Sequence, residues 1–295
     1  MKRREFIAKN LGAGLAVSTG AICGGLPASA ADLNYDSKKK WSLSVQGTVP
    51  PDEVRLLAGY IGAYHVPDGA MPKSGGWKVV YDMLKFDAQP SYKKKKAAAP
   101  VMYNSSLGQV AVSRPGRDPE YHIQMVYSPT AAVEEVDVQL YCNTDDVASI
   151  RNYEMTWRCS SRDPDITYSR KEIGRVGSGE LMVSAQAYTD RFRIKRPLTS
   201  LWTLMDAVRF LPTQAGWKKN FDMYMDLSCM RRNQILQYSK ESVIQTAGGE
   251  VPVSFYRQIG EGIEPIHYTV DAQKRVLFVT QGQLGWALNR IEVAS

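Results

Sequence analysis

From residue 41 onward the hydrophobic positions of this chain fall mostly on alternate residues. In WSLSVQGTV, Trp41, Leu43 and Val45 alternate with Ser42, Ser44 and Gln46, the period of a strand with one buried face. The alternation recurs in short blocks separated by turn residues: QVAVSR, YHIQMVYS, EVDVQLYC, YEMTWRC, ITYSRKEI, LMVSAQAY and DRFRIKR. After an interruption it resumes in FDMYMDLSCM, QILQYSKESVIQ, VPVSFYRQI, PIHYTVD and LGWALNRIEV. That rhythm predicts a mainly β protein built as an antiparallel twisted sheet or half-barrel. WKVVYDMLKFD and RVLFV are apolar on both phases, so RVLFV in particular needs cover on both faces.

Two segments break the alternation. In PPDEVRLLAGYIGAY, Leu57, Tyr60, Ile61 and Tyr64 share one helical face behind Pro50 and Pro51. In PLTSLWTLMDAVRFLP, bracketed by Pro197 and Pro212, Leu201, Leu204, Met205 and Val208 form a helical stripe over 199–211, with Thr199 placed to cap it. The expectation is a sheet with one or two covering helices, the second amphipathic and lying over RVLFV. Within the strands, Val136, Val138, Leu140 and Cys142 share the core phase, as do Tyr153, Met155, Trp157 and Cys159. Phe221, Met223, Met225, Leu227 and Cys229 share a third. GRVGSGE at 174–180 reads as a hairpin loop.

The chain opens MKRREF, follows with a weakly apolar stretch and reaches PASA, with small residues at Ala28 and Ala30. This is a signal of the twin-arginine type over residues 1–30, so the export machinery that reads Arg3 and Arg4 is an expected partner. Residues 31–40 read as a flexible tether and 41–295 as one β-rich domain, with a joint near 90–100 around the exposed run Lys93 to Lys96. The net charge is +7, but from residue 101 onward acids and bases balance, which leaves no basic field for nucleic acid. No later apolar run approaches the roughly 18 residues of a membrane span. The expected location is therefore periplasmic or secreted.

Of the 4 cysteines, Cys23 falls in the signal. Cys142, Cys159 and Cys229 are expected as free thiols, because a simple hairpin places Cys142 and Cys159 far beyond the ~7 Å that a disulfide tolerates. The 3 histidines, His65, His122 and His267, stand alone, and no zinc, phosphate-loop or nucleophile-elbow motif occurs. No cofactor is expected and no catalytic residue is assigned. Arg191, Arg193 and Lys195 alternate along one strand face as a candidate anion-binding row. The candidate ligand-binding set is Met155, Trp157, Trp202, Met205, Met223, Met225 and Trp286, all in inward phase: methionine repacks around varied partners, and aromatic walls are usual in apolar pockets.

In the closing strands, Pro265, Tyr268, Asp271, Arg275 and Trp286 carry a further pattern: a polar strand, a proline link, a hairpin with an acidic turn and a last strand bearing an aromatic. Over 150–290 it resembles exported bacterial β-sheet proteins, some of them similar to the half-barrel lipoprotein carriers LolA and LolB. The resemblance implies an antiparallel sheet curled around an apolar cavity closed by helices. The resulting expectation is a non-enzymatic exported protein that binds an apolar or lipid-like molecule. The alternatives are an envelope module binding glycan or protein, and a carboxylate-dependent hydrolase.

Overall fold

The computed structural model describes residues 33, 36, 38–43, 49–72, 76–89, 101–116, 119–128, 132–161 and 167–293. The expected signal peptide and Lys93 to Lys96 lie outside the described residues. In chain order the strands are β1 (Lys40–Leu43), β2 (Trp77–Gln89), β3 (Val101–Arg114), β4 (Glu120–Tyr127), β5 (Val133–Cys142), β6 (Ile150–Ser160), β7 (Tyr168–Gly177) and β8 (Glu180–Ala185). They continue with β9 (Tyr188–Arg193), β10 (Leu198–Thr199), β11 (Lys218–Met225), β12 (Cys229–Thr246), β13 (Gly249–Ile259), β14 (Ile266–Asp271), β15 (Val276–Gln281) and β16 (Leu284–Val293). Two short helices are α1 (Ala58–Ile61), entered through a 3₁₀ turn at Asp52–Leu57, and α2 (Leu201–Ala207), left through a 3₁₀ turn at Val208–Phe210.

Among the described residues, all 16 strands form one sheet in the order β10-β11-β12-β13-β14-β15-β16-β2-β3-β4-β5-β6-β7-β8-β9, with β1 added on β3. β10 runs parallel to β11, and its short ladder is the exception in an otherwise antiparallel sheet. The two ends of the order, β9 and β10, are neighbours in sequence. Across that seam Phe192 of β9 packs on Tyr224 of β11, ring centroids 5.8 Å apart. The sheet thus curls most of the way to a barrel without closing. β2 and β3, on either side of the expected joint, pair along their whole length from Trp77↔Arg114 to Gln89↔Val101.

Successive strand residues face opposite sides, which locates the two covers. Trp286 meets Trp202 of α2 edge-on at 6.2 Å, while a Cβ on its neighbour Gly285 would meet Leu57. α2 therefore lies on the inner face and the 52–64 segment on the outer. On the outer side Thr280 Oγ1 donates to the Glu53 carbonyl at 2.7 Å, and Tyr64 packs on Phe278 at 4.7 Å. β15, the RVLFV block, is covered on both faces as its composition demands, but by two elements and not by the 199–211 helix alone.

Three local expectations are corrected, in the face of α2, in its cap and in FDMYMDLSCM. All seven residues of α2 are buried, Trp202, Thr203 and Asp206 included, because the curled sheet surrounds the helix; it has no solvent face and is not amphipathic in use. Its cap is Ser200, whose Oγ accepts from Thr203 N at 3.2 Å, whereas Thr199 belongs to β10 and donates its hydroxyl to the Val147 carbonyl at 2.7 Å. FDMYMDLSCM is not one strand: β11 ends at Met225 and the chain reverses through Asp226, Leu227 and Ser228 into β12. Leu227 and Cys229 therefore do not continue the face of Phe221 and Met223, and Asp222 and Tyr224, on the opposite phase of the strand, are buried as well. In the segment read as a tether, Leu33 is buried with Val80, Ala111 and Val126, and Lys40 opens β1.

Candidate functional site

The ladder register of β4, β5 and β6 assembles one wall. Met125 pairs with Val136 and Val136 with Trp157. One row deeper Ile123 pairs with Val138 and Val138 with Met155. One row outward Tyr127 pairs with Glu134 and Glu134 with Cys159. Residues two apart share a face, so this wall runs from apolar at depth to polar at its rim. There Glu134 Oε2 accepts from Tyr127 OH at 2.5 Å and from Trp157 Nε1 at 3.0 Å.

Opposite this wall stand Trp202 of α2 and the β11–β12 turn. Between them is a cavity of about 180 Å³ lined by Met125, Tyr127, Val136, Val138, Met155 and Trp157, and closed by Trp202, Asp226, Leu227 and Ser228. The turn reaches it through left-handed backbone at Asp226 (φ 50°) and Leu227 (φ 49°). Asp226 lines the cleft and is solvent-exposed. The cleft walls push its carboxyl up to about 6, against the opposing pull of Arg231. Burial first, then the bond and charge of Glu134, push the Tyr127 phenol well upward, so it stays protonated.

The structure brings three of the seven candidate ligand residues, Met155, Trp157 and Trp202, to this cavity. Trp286 stands behind Trp202. Met205 lines a separate cavity of about 10 Å³ with Asp206 and Arg209, room for one water at most. Met223 is fully buried and accepts from Gln258 Nε2 at 3.5 Å. Met225 lies against Gln281, Sδ to Nε2 3.9 Å. Strand alternation gives the inward phase correctly but not which part of a curled sheet a residue reaches, and that is why the seven separate. Arg191, Arg193 and Lys195 are exposed, with Arg191 3.5 Å from Glu180.

Sequence reasoning missed Asp226, Leu227 and Ser228, because DLSC reads as continuing alternation. It also missed Tyr127 and Glu134, for which a signal existed: both extend the inward phase of their strands, and an inward carboxylate marks a wall that is not plain core. Asp271, in the acidic turn of the closing hairpin, is committed to Arg275 at 2.7 Å. Cys142, Cys159 and Cys229 are free, and burial pushes the Cys142 thiol up to about 12. Among the described residues no group of acidic, histidine and cysteine side chains is placed to hold a metal, and no helix is long and apolar enough to cross a membrane.

No protein-family model and no curated protein matches the chain. Among solved structures it is similar to a β-barrel-like protein of a domain of unknown function, DUF1849, from Brucella abortus, with 8% identity, a TM-score of 0.48, and coverage of 75% of this chain and 99% of that one.

Proposed function

We propose that this chain is a non-enzymatic binding protein whose cavity between β4–β6, α2 and the β11–β12 turn holds the apolar end of a small amphipathic molecule. The cavity itself carries the reading: about 180 Å³ walled mostly by apolar side chains, Met125, Met155, Trp157 and Trp202 among them, with Tyr127, Asp226 and Ser228 as its polar groups. A site of about 150 Å³ lined by aliphatic side chains accommodates benzene, so this one suits a single ring or a short alkyl end. A full acyl chain is too large.

Titration with benzyl alcohol, followed by tryptophan emission and amide chemical shifts, tests this reading. Saturable binding at millimolar concentration with shifts confined to the cavity is expected. Met155→Trp should fill the space and abolish binding, with far less destabilisation than the roughly 1–3 kcal/mol that overpacking a closed core costs. Absence of saturable binding by the native protein removes the reading.

The chain is further proposed to leave the cytoplasm by the twin-arginine route and to start at Ala31 in the periplasm. Arg3, Arg4, Phe6 and the Ala28, Ala30 pair motivate this, and the topology gives a reason for export after folding. β2 pairs with β16, the last strand, so the centre of the sheet forms only when the whole chain is available, and non-local pairing of that kind is slow. Arg3→Lys with Arg4→Lys should retain the precursor inside the cell. An exported form whose mass includes Met1 would refute the cleavage.

A further inference from the structure

The charge of the cavity wall restricts what its occupant carries at the polar end. Asp226 is the one lining side chain that bears a full charge. Among the described residues no hydrogen bond or ion pair reaches its carboxylate; Arg231 acts on it only through space and belongs to a different surface hollow, with Met230, Arg232 and Gly262. Glu134, held by Tyr127 and Trp157, adds a second carboxylate at the rim, and both it and Asp226 act on Tyr127. Apart from Ser228 the remaining walls are aliphatic, thioether or aromatic, and the rings of Tyr127, Trp157 and Trp202 can attract a cation within about 6 Å of the ring centre. An apolar slot with aromatic sides and a solvent-accessible carboxylate with no protein ion pair among the described residues complements a molecule whose head donates hydrogen bonds and carries positive charge.

We propose that the cavity selects a small organic ammonium ion, an aryl or short alkyl group bearing a protonated amine, over neutral and anionic molecules of the same shape. This rests on the cavity being a ligand site at all. The ring or alkyl group sits among Met125, Met155, Trp157 and Trp202, and the ammonium pairs with Asp226 at the mouth. An anionic head would face Asp226 and Glu134 together, which disfavours fatty acids and aryl carboxylates.

Three probes of one shape separate the two ideas: benzylamine, benzyl alcohol and benzoate, each titrated at pH 7 by amide chemical shifts and tryptophan emission. The expected order is benzylamine at least tenfold tighter than benzyl alcohol, with benzoate weakest. Asp226→Asn should bring the ratio of benzylamine to benzyl alcohol affinity down to about one. Asparagine tolerates the left-handed backbone of position 226, and the three-probe comparison on the native protein decides even without the variant. Asp226 is faced by Arg231 of β12 and by Tyr127 of β4, which is tied to Glu134 of β5. As Asp226 loses its proton near 6 and the amine stays charged, benzylamine binding should strengthen from pH 5 to 7 while alcohol binding stays flat. Equal affinity for all three probes overturns the ammonium preference and leaves the cavity reading standing. No binding by any of them overturns both.

Discussion

Asp226 and Leu227, with φ of 50° and 49°, turn the chain without glycine or asparagine. A left-handed residue with a side chain costs about 1–2 kcal/mol, and such strain persists where the surroundings over-determine it, often at binding sites. Here burial of Leu227, 1% exposed, fixes the turn and leaves Asp226 on the cavity wall. None of this was legible: MDLSC carries no glycine, proline or asparagine, and alternation reads through it. Gly174 is a similar case, a strand glycine whose Cβ would collide with the ring of Tyr153, itself anchored through its hydroxyl to Glu172 at 2.6 Å. The price of Asp226 is testable through pH. Its carboxyl is raised from 3.8 to about 6 in the folded state, so the folded form favours the protonated acid. The native protein should lose stability as pH rises through that interval, relative to Asp226→Asn, which cannot ionise. Urea unfolding should show the two equal near pH 3.5 and the variant more stable at pH 7.5, and an equal difference at both values would mean that the carboxylate carries no folding cost.

At the scale of elements, alternation located most strands because each antiparallel neighbour leaves one face buried. The β5–β6 hairpin is a clear instance: the inward phases read from sequence, Val138 and Leu140 against Met155 and Tyr153, meet in the ladder as Val138↔Met155 and Leu140↔Tyr153. Of the segment 174–180 read as a hairpin loop, residues 174–177 belong to β7, and only Ser178 and Gly179 turn, both at positive φ. α2 was found by its stripe, yet the stripe understated it. A helix surrounded by sheet can bury polar residues when their bonds are met inside, and Asp206 meets this condition through Arg209 Nε at 2.5 Å and Tyr121 OH at 2.9 Å. Polar letters in a helical pattern signal solvent only when no buried partner exists, and partners distant in sequence, such as Tyr121, are invisible to periodicity. The cap shifted by one residue for the same reason: Thr199 was drawn into β10 by its bond to Val147, leaving Ser200 to hold the helix N-terminus.

At the scale of the whole molecule, neither the strand order nor the seam could be read from the chain, since β2 with β16 and β9 with β10 depend on how a long sheet curls. The seam needs holding because both its edges carry unpaired backbone groups. Asp222, 3% exposed at a bulge between Phe221 and Met223, supplies the clasp. Its Oδ2 accepts from Lys195 N at 3.3 Å, in the link between β9 and β10. Its Oδ1 accepts from Asn233 N at 3.1 Å on β12, and its own amide donates to the Pro197 carbonyl at 2.9 Å. One carboxylate thus ties the last strand of one end of the sheet to the first strands of the other. Hydrogen bonds to a charged group contribute about 1.5–3 kcal/mol each, so Asp222→Ala should cost on the order of 3 kcal/mol. The loss should also be local. Amide exchange should accelerate in β9, β10 and the facing part of β12, while the β2–β3 ladder, distant from the seam in strand order, keeps its protection. Uniform acceleration through β2 and β3 would mean that the curl is held by the core alone and that Asp222 adds only to global stability. Retained protection at the seam would mean that the packing of Phe192 on Tyr224 suffices to hold the two edges together.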